Sequence, residues 1–122
     1  MVADLPAAAL VGVSLVTHAG ETLTAKAGLA RLAATPHIVC HAAFLVERLA
    51  NASGATRHAA RAAREQKHFD VAELFAFVCP ARVATPTPLG LARALALEPA
   101  TSDVATLRLV AGELLGRLAN QH

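Results

Sequence analysis

Basic side chains recur at helical intervals between positions 57 and 68. They are Arg57, Arg61, Arg64, Lys67 and His68. On an α-helix the three arginines and His68, at steps of four, three and four residues, share one stripe, and Lys67 lies beside it. A stripe of guanidinium groups suits the phosphates of a nucleic acid, and an ordinary solvated helix face is the alternative. No aromatic residue interleaves the stripe, so the sequence does not indicate base stacking.

Patterns for catalysis or metal binding are sparse elsewhere. The glycines form neither a G-x-x-x-x-G-K-[ST] nor a G-x-G-x-x-G motif for binding phosphates. His37 and His41 flank a predicted strand, where four residues span about 13 Å, too far for one metal ion. Cys40 and His41 are adjacent, and neighbours in a strand point to opposite faces. We predict no catalytic residue, no metal ligand and no cofactor.

Carboxylates do not suggest a nuclease centre either. Two-metal nucleases need several carboxylates that converge on two cations. The chain has nine acidic residues, and the first predicted hairpin carries no Asp. Glu21 and Glu47 are isolated, whereas Glu65, Asp70 and Glu73 lie close together in the sequence. We interpret these three as solvated helix surface and a helix N-cap.

Composition predicts one ordered domain over residues 1–122, because 55% of the residues are hydrophobic and only 16% are charged. The net charge of +2 permits contact with nucleic acid without requiring it. No apolar stretch approaches the ~20 residues that span a bilayer, and no basic segment precedes the first apolar run. Together with two cysteines in no metal-like spacing, this predicts a cytoplasmic protein with reduced thiols and no membrane partner.

Hydrophobic periodicity predicts strands early in the chain and helices late. We expect strands over 8–18 (with Gly12 as the point where this run can break), 21–25 and 37–41. The helical segments are 26–34, 42–51, 55–68, 70–78, 89–97 and 103–120. Asp70 and Thr87 are expected as N-caps, and the last helix is expected to be capped by Thr101-Ser102. The fold class is therefore α/β (α+β), a mixed sheet of three or four strands from residues 8 to 41 with C-terminal helices packed on it.

One segment resembles a known family. The run Phe69–Arg82, FDVAELFAFVCPAR, and the run Thr85–Leu95, TPTPLGLARAL, are similar to a stretch near the N-terminus of DinG-type ATP-dependent DNA helicases of alphaproteobacteria. That region of the family in turn resembles DEDDh exonucleases of the RNase H-like fold. The resemblance implies a small RNase H-like domain with a role in DNA metabolism, including DNA repair. No helicase motor domain lies within these residues.

Departures from the exonuclease pattern imply that the activity is lost. His41-Ala42-Ala43-Phe44 lies where those enzymes carry a His-Asn-x-x-Phe-Asp motif. Ala42 replaces the Asn, and Leu45 follows Phe44 where the metal-binding Asp would be. The first strand has no Asp-x-Glu, and Leu107 lies near the position of a further Asp. The resemblance therefore implies an exonuclease-like domain with a degenerate active site.

Three functions remain open on the sequence. The leading hypothesis is a non-catalytic accessory domain that contacts DNA weakly through its phosphates, or contacts a helicase motor domain or another subunit. The second is an active metal-dependent 3′→5′ exonuclease of the DEDDh type. The third is a small interaction or dimerisation module without a role in nucleic-acid binding.

Overall fold

Two tight reversals build the first part of the sheet in the computed structural model, which describes residues 4–120. Strands β1 (Ala8–Val11), β2 (Ser14–Thr17) and β3 (Thr22–Leu23) pair antiparallel in sequence order. Gly12 lies in the β1–β2 turn with a φ of +66°, which glycine adopts without steric penalty. The apolar run over 8–18 is therefore two strands, broken at Gly12.

Two further strands are parallel and come from later in the chain. β4 (Ile38–Val39) pairs with β5 (Phe69–Asp70). A single parallel bridge between Ala7 and Ile38 joins this pair to the start of β1, and the N–H of Ile38 donates to the carbonyl oxygen of Pro6 at 2.9 Å. The spatial order is β3-β2-β1-β4-β5. Four strands lie in the expected region, and β5 is an addition outside it.

Six helices complete the described part of the chain. They are α1 (Ala25–Ala34), α2 (Ala42–Ser53), α3 (Arg57–Glu65), α4 (Val71–Val78), α5 (Pro88–Ala94) and α6 (Asp103–Ala119). Side-chain oxygens cap the first N–H groups of five of these helices, as is usual for Ser, Thr and Asp at the N-cap. The capping residues are Thr24, Thr56, Asp70, Thr87 and Ser102. The N-caps expected at Asp70 and Thr87 are confirmed, and Ser102 rather than Thr101 caps the last helix.

Side chains of the central strands alternate between two hydrophobic clusters. Ala7 and Ala9 belong to a cluster with α4, α5 and α6, whereas Ala8 belongs to a cluster with α1, α2 and α3. This alternation follows from the period of two in a strand. The helices therefore cover both faces of the sheet in a mixed α/β fold, and α6 contacts β1 and β4 as expected. Within residues 4–120 no helix has the length and apolar character needed to cross a membrane.

Candidate nucleic-acid interface

Helix α3 presents three arginines on its outer side. Its inner side carries Ala60 and Ala63, which are buried in the cluster with α1 and α2. Arg57, Arg61 and Arg64 are exposed and share an arc of about 60° around the helix axis. With His58 they line a shallow cavity of about 380 Å³. We call the surface formed by Arg57, Arg61 and Arg64 the arginine face.

One carboxylate lies beside the arginine face. Nε of Arg61 is 3.3 Å from Oε1 of Glu65, one turn further along α3. The two side chains are 71% and 67% exposed. An exposed pair of this kind stabilises a protein by about 0–1 kcal/mol because water screens the attraction. Arg61 can therefore exchange Glu65 for an incoming phosphate at little cost.

The structure corrects the place of His68 in the predicted stripe. Helix α3 ends at Glu65, since Gln66 is extended and its side-chain Nε2 donates to the carbonyl oxygen of Ala33 at 2.9 Å. His68 is half-buried beyond that point and does not share the exposed face with the arginines. Lys67 is exposed, but it also lies outside the helix. The surface supported by the structure thus consists of the arginine face and His58, with Lys67 nearby in sequence only.

His68 instead ties α3 to the sheet. Its Nδ1 accepts the backbone N–H of His37 at 3.1 Å, and its Nε2 donates to the carbonyl oxygen of Ala63 at 3.0 Å. This arrangement requires a neutral ring with the proton on Nε2. Burial is the main cause that lowers the pKa of His68 below its ordinary value, and burial does the same for His37. Both histidines act as neutral structural groups here.

The carboxylate of Asp70 caps the N-termini of two helices, α2 and α4. Asp70 accepts hydrogen bonds from the N–H groups of His41 and Ala42 at 2.9 and 2.8 Å, and from Ala72 at 3.0 Å. It therefore caps its own helix α4 and also α2. The N-cap residue of α2, His41, makes no capping hydrogen bond with its own side chain. His41 has a φ of +60°, in the left-handed region. The interpretation of Asp70 as a cap rather than a metal ligand fits these contacts.

Cys40 is unsuited to nucleophilic catalysis. Its thiol donates to the carbonyl oxygen of Pro86 at 3.4 Å. Burial, with a smaller effect of the nearby Asp70 carboxylate, raises the pKa of the Cys40 thiol to about 12. A thiol with this pKa stays protonated at neutral pH, whereas the thiolate is the nucleophile.

A second cavity, of about 280 Å³, lies where the resemblance would place an exonuclease centre. Strand β1 contributes Ala8, Ala9 and Leu10 to it, and α2 contributes Leu45. Among its described lining residues Asp103 is the one carboxylate. Two catalytic cations need more oxygen ligands than this, so the lining does not fit a two-metal centre. Across residues 4–120 no group of three or more His, Cys, Asp or Glu could hold a metal ion.

An aromatic pair that sequence reasoning missed lies close to the arginine face. The rings of His41 and Phe44 stack with centroids 5.5 Å apart and an interplanar angle of 19°. Phe44 is 48% exposed. Arg64 and His41 line a common cavity of about 530 Å³, together with Asp70 and Glu73. The spacing of three residues at the start of α2 was the available signal for the pair, but its proximity to Arg64 depends on the packing of helices α2 and α3.

Comparisons with protein-family models, with curated proteins and with solved structures found no match for this chain. The resemblance to DinG-type helicases rests on the runs Phe69–Arg82 and Thr85–Leu95, and it stays a prediction.

Proposed function

We propose that this chain is a non-catalytic DNA-binding domain that holds the phosphate backbone on its arginine face. The observation that carries the proposal is the placement of Arg57, Arg61 and Arg64 around one exposed concavity. Guanidinium groups donate paired hydrogen bonds to phosphate oxygens and keep their charge at every physiological pH. An array of three such groups matches the repeated charge of a nucleic-acid backbone.

The scaffold beneath the arginines supports this role. Burial of Ala60 and Ala63, the N-cap at Thr56 and the link through His68 hold α3 in place. The first and last arginines are seven residues apart, which corresponds to about 10 Å along the helix. Contacts to phosphates alone carry no direct sequence information. The binding should therefore be weak, independent of base sequence and sensitive to salt.

The resemblance supplies a context for such binding. It supports a role as an accessory domain of a DinG-type DNA helicase, in which the domain contacts DNA, the motor domain or another subunit. A cytoplasmic location belongs to this proposal, and the free thiols of Cys40 and Cys79 agree with a reducing compartment. The apolar lining of the cavity beside β1 favours a binding role over an exonuclease reaction.

Two charge-matched variants test the proposal. Arg57→Ala/Arg64→Ala removes two positive charges from the arginine face, and Lys26→Ala/Arg93→Ala removes two exposed positive charges from α1 and α5. Alanine favours helix, so neither variant threatens the fold. Binding of a labelled single-stranded oligonucleotide is measured at low salt by fluorescence anisotropy.

The first variant should bind about fivefold more weakly than the wild type or worse, since each exposed contact contributes roughly 0.5–1 kcal/mol. The control variant should bind within about twofold of the wild type. Equal weakening by both variants would show that overall charge, rather than the arginine face, drives binding. Failure of the wild type to bind would refute the proposed function.

A further inference from the structure

The aromatic pair His41–Phe44 continues the arginine face. Arg64 lines the cavity of the arginine face and also the cavity that contains His41. His41 in turn stacks on Phe44, whose ring is 48% exposed. Arg64 therefore shares one cavity with the other two arginines and a second cavity with His41, the residue that stacks on the exposed ring of Phe44.

The surroundings of Phe44 suit a nucleobase. His41 covers part of the Phe44 ring, and Phe44 itself lines the apolar cavity of about 280 Å³. The wall of that cavity near Phe44 includes Pro86 and Leu89. Bases stack on aromatic side chains with little dependence on their identity, because every base presents a π-face. The apolar wall adds contact area, and Asp103 is the one charged side chain among the described residues that line this cavity.

Charge along this surface is compatible with a phosphate chain. The Asp70 carboxylate in the cavity of Arg64 and His41 accepts N–H groups from the N-termini of both α2 and α4. The positive ends of two helix dipoles therefore offset its charge. Glu73 lines the same cavity and is exposed, so it marks the side that a phosphate avoids.

We propose that this domain binds single-stranded DNA, with phosphates on the arginine face and one unpaired base stacked on the exposed surface of Phe44. The proposal rests on the DNA binding proposed above and adds that the bound DNA is single-stranded. A duplex keeps its bases stacked on one another and offers Phe44 no free face. A single strand presents a base to Phe44 while it keeps the same phosphate contacts.

The experiment compares two matched variants on three probes. Phe44→Leu removes the aromatic ring but keeps apolar bulk, and Phe77→Leu does the same at a 73% exposed position on α4, outside the two cavities that contain Arg64. The probes are a labelled single strand, its duplex and the same strand with abasic sites in place of bases. The abasic strand tests phosphate contacts alone, so it also reports whether each variant is folded.

The wild type should bind the single strand more tightly than the duplex. Phe44→Leu should bind the single strand about fivefold more weakly or worse, as expected for the loss of one base–aromatic stack. Phe77→Leu should match the wild type, and all three proteins should bind the abasic strand equally. In addition, ring protons of Phe44 should move upfield in NMR spectra of the wild type when the single strand is added, but not when the abasic strand is added.

Two results would overturn the stacking proposal while the arginine face remains supported. One is duplex binding that equals or exceeds single-strand binding. The other is unchanged single-strand affinity in Phe44→Leu while Arg57→Ala/Arg64→Ala still weakens binding. Failure of the wild type to bind any probe would remove both proposals together.

Discussion

The carboxylate of Asp70 accepts a 2.8 Å hydrogen bond from the backbone N–H of Ala42, 28 positions earlier in the chain. The same side chain accepts the N–H of Ala72 in its own helix. Helices α2 and α4 belong to the clusters on opposite faces of the sheet, so one side chain serves the N-termini of both layers. It also holds His41 in its left-handed conformation beside Phe44.

Replacing Asp70 with alanine should destabilise the fold more than loss of an ordinary cap. A single N-cap contributes about 0.5–2 kcal/mol, and Asp70→Ala removes two, so the free energy of unfolding should fall by roughly 1–4 kcal/mol. Glu73→Ala, in the first turn of α4, removes an exposed carboxylate and should cost less than about 1 kcal/mol. Urea unfolding followed by far-UV circular dichroism measures both, since the chain has no Trp or Tyr. Similar losses in the two variants would contradict the double cap.

Replacing two helix glycines with alanine should change the free energy of unfolding in opposite directions. A Cβ on Gly28 in α1 would lie 2.8 Å from Cβ of Leu15 in β2, so Gly28→Ala should lower the free energy of unfolding by about 1–3 kcal/mol through overpacking. A Cβ on Gly112 in α6 meets nothing within 4 Å. Gly112→Ala should therefore raise that free energy by about 0.5–1 kcal/mol, the difference in helix propensity. Stabilisation by both changes would show that α1 does not pack tightly on β2.

Acid should weaken the link between α3 and the sheet. Burial lowers the pKa of His68 below its ordinary 6.5, so the unfolded chain takes up a proton at higher pH than the folded one. The stabilisation is fully present above about pH 6.5 and is lost as the pH falls towards the lower pKa of the folded state. Protonation at Nδ1 would also turn the acceptor for the His37 N–H into a donor.

His68→Asn tests this link because the amide oxygen of Asn can accept the same N–H but does not titrate. The variant should lose less stability than the wild type between about pH 7 and about pH 5, with His37 accounting for part of the remaining loss. An unchanged pH dependence in His68→Asn would assign the acid sensitivity to other groups.

Local chemistry explains which features the sequence revealed. Asp70, Thr87 and Ser102 cap helices through N–H groups two or three residues away, so the sequence around each is sufficient to predict them. Strand β5 is different, because two residues form no hydrophobic alternation and the pairing partner of Phe69 is Ile38. Such pairing depends on tertiary packing.

The candidate site likewise has features that the local sequence predicts and features that depend on tertiary packing. Helical spacing alone placed Arg57, Arg61 and Arg64 together, whereas His68 left the stripe because a tertiary contact of Gln66 with Ala33 ends the helix earlier. A related limit concerns the core. The apolar periodicity of the last three helices predicts nine buried residues, of which six are buried: Phe75, Leu91, Leu95, Leu107, Val110 and Leu114. The other three, Leu74, Val78 and Leu118, are only half-buried. Periodicity identifies the inner face of a helix, and the neighbouring layer decides how much of that face is covered.

The salt dependence of DNA binding reports how many phosphates the arginine face holds. Each phosphate contact releases condensed counterions, so three arginine contacts predict that log affinity falls with log salt concentration at a slope of roughly −2 to −3. In Arg57→Ala/Arg64→Ala one arginine of the face remains, and the slope should become shallower, about −1. The control Lys26→Ala/Arg93→Ala should keep the wild-type slope. A wild-type slope near zero, or the same slope in the wild type and in Arg57→Ala/Arg64→Ala, would contradict phosphate binding by the arginine face.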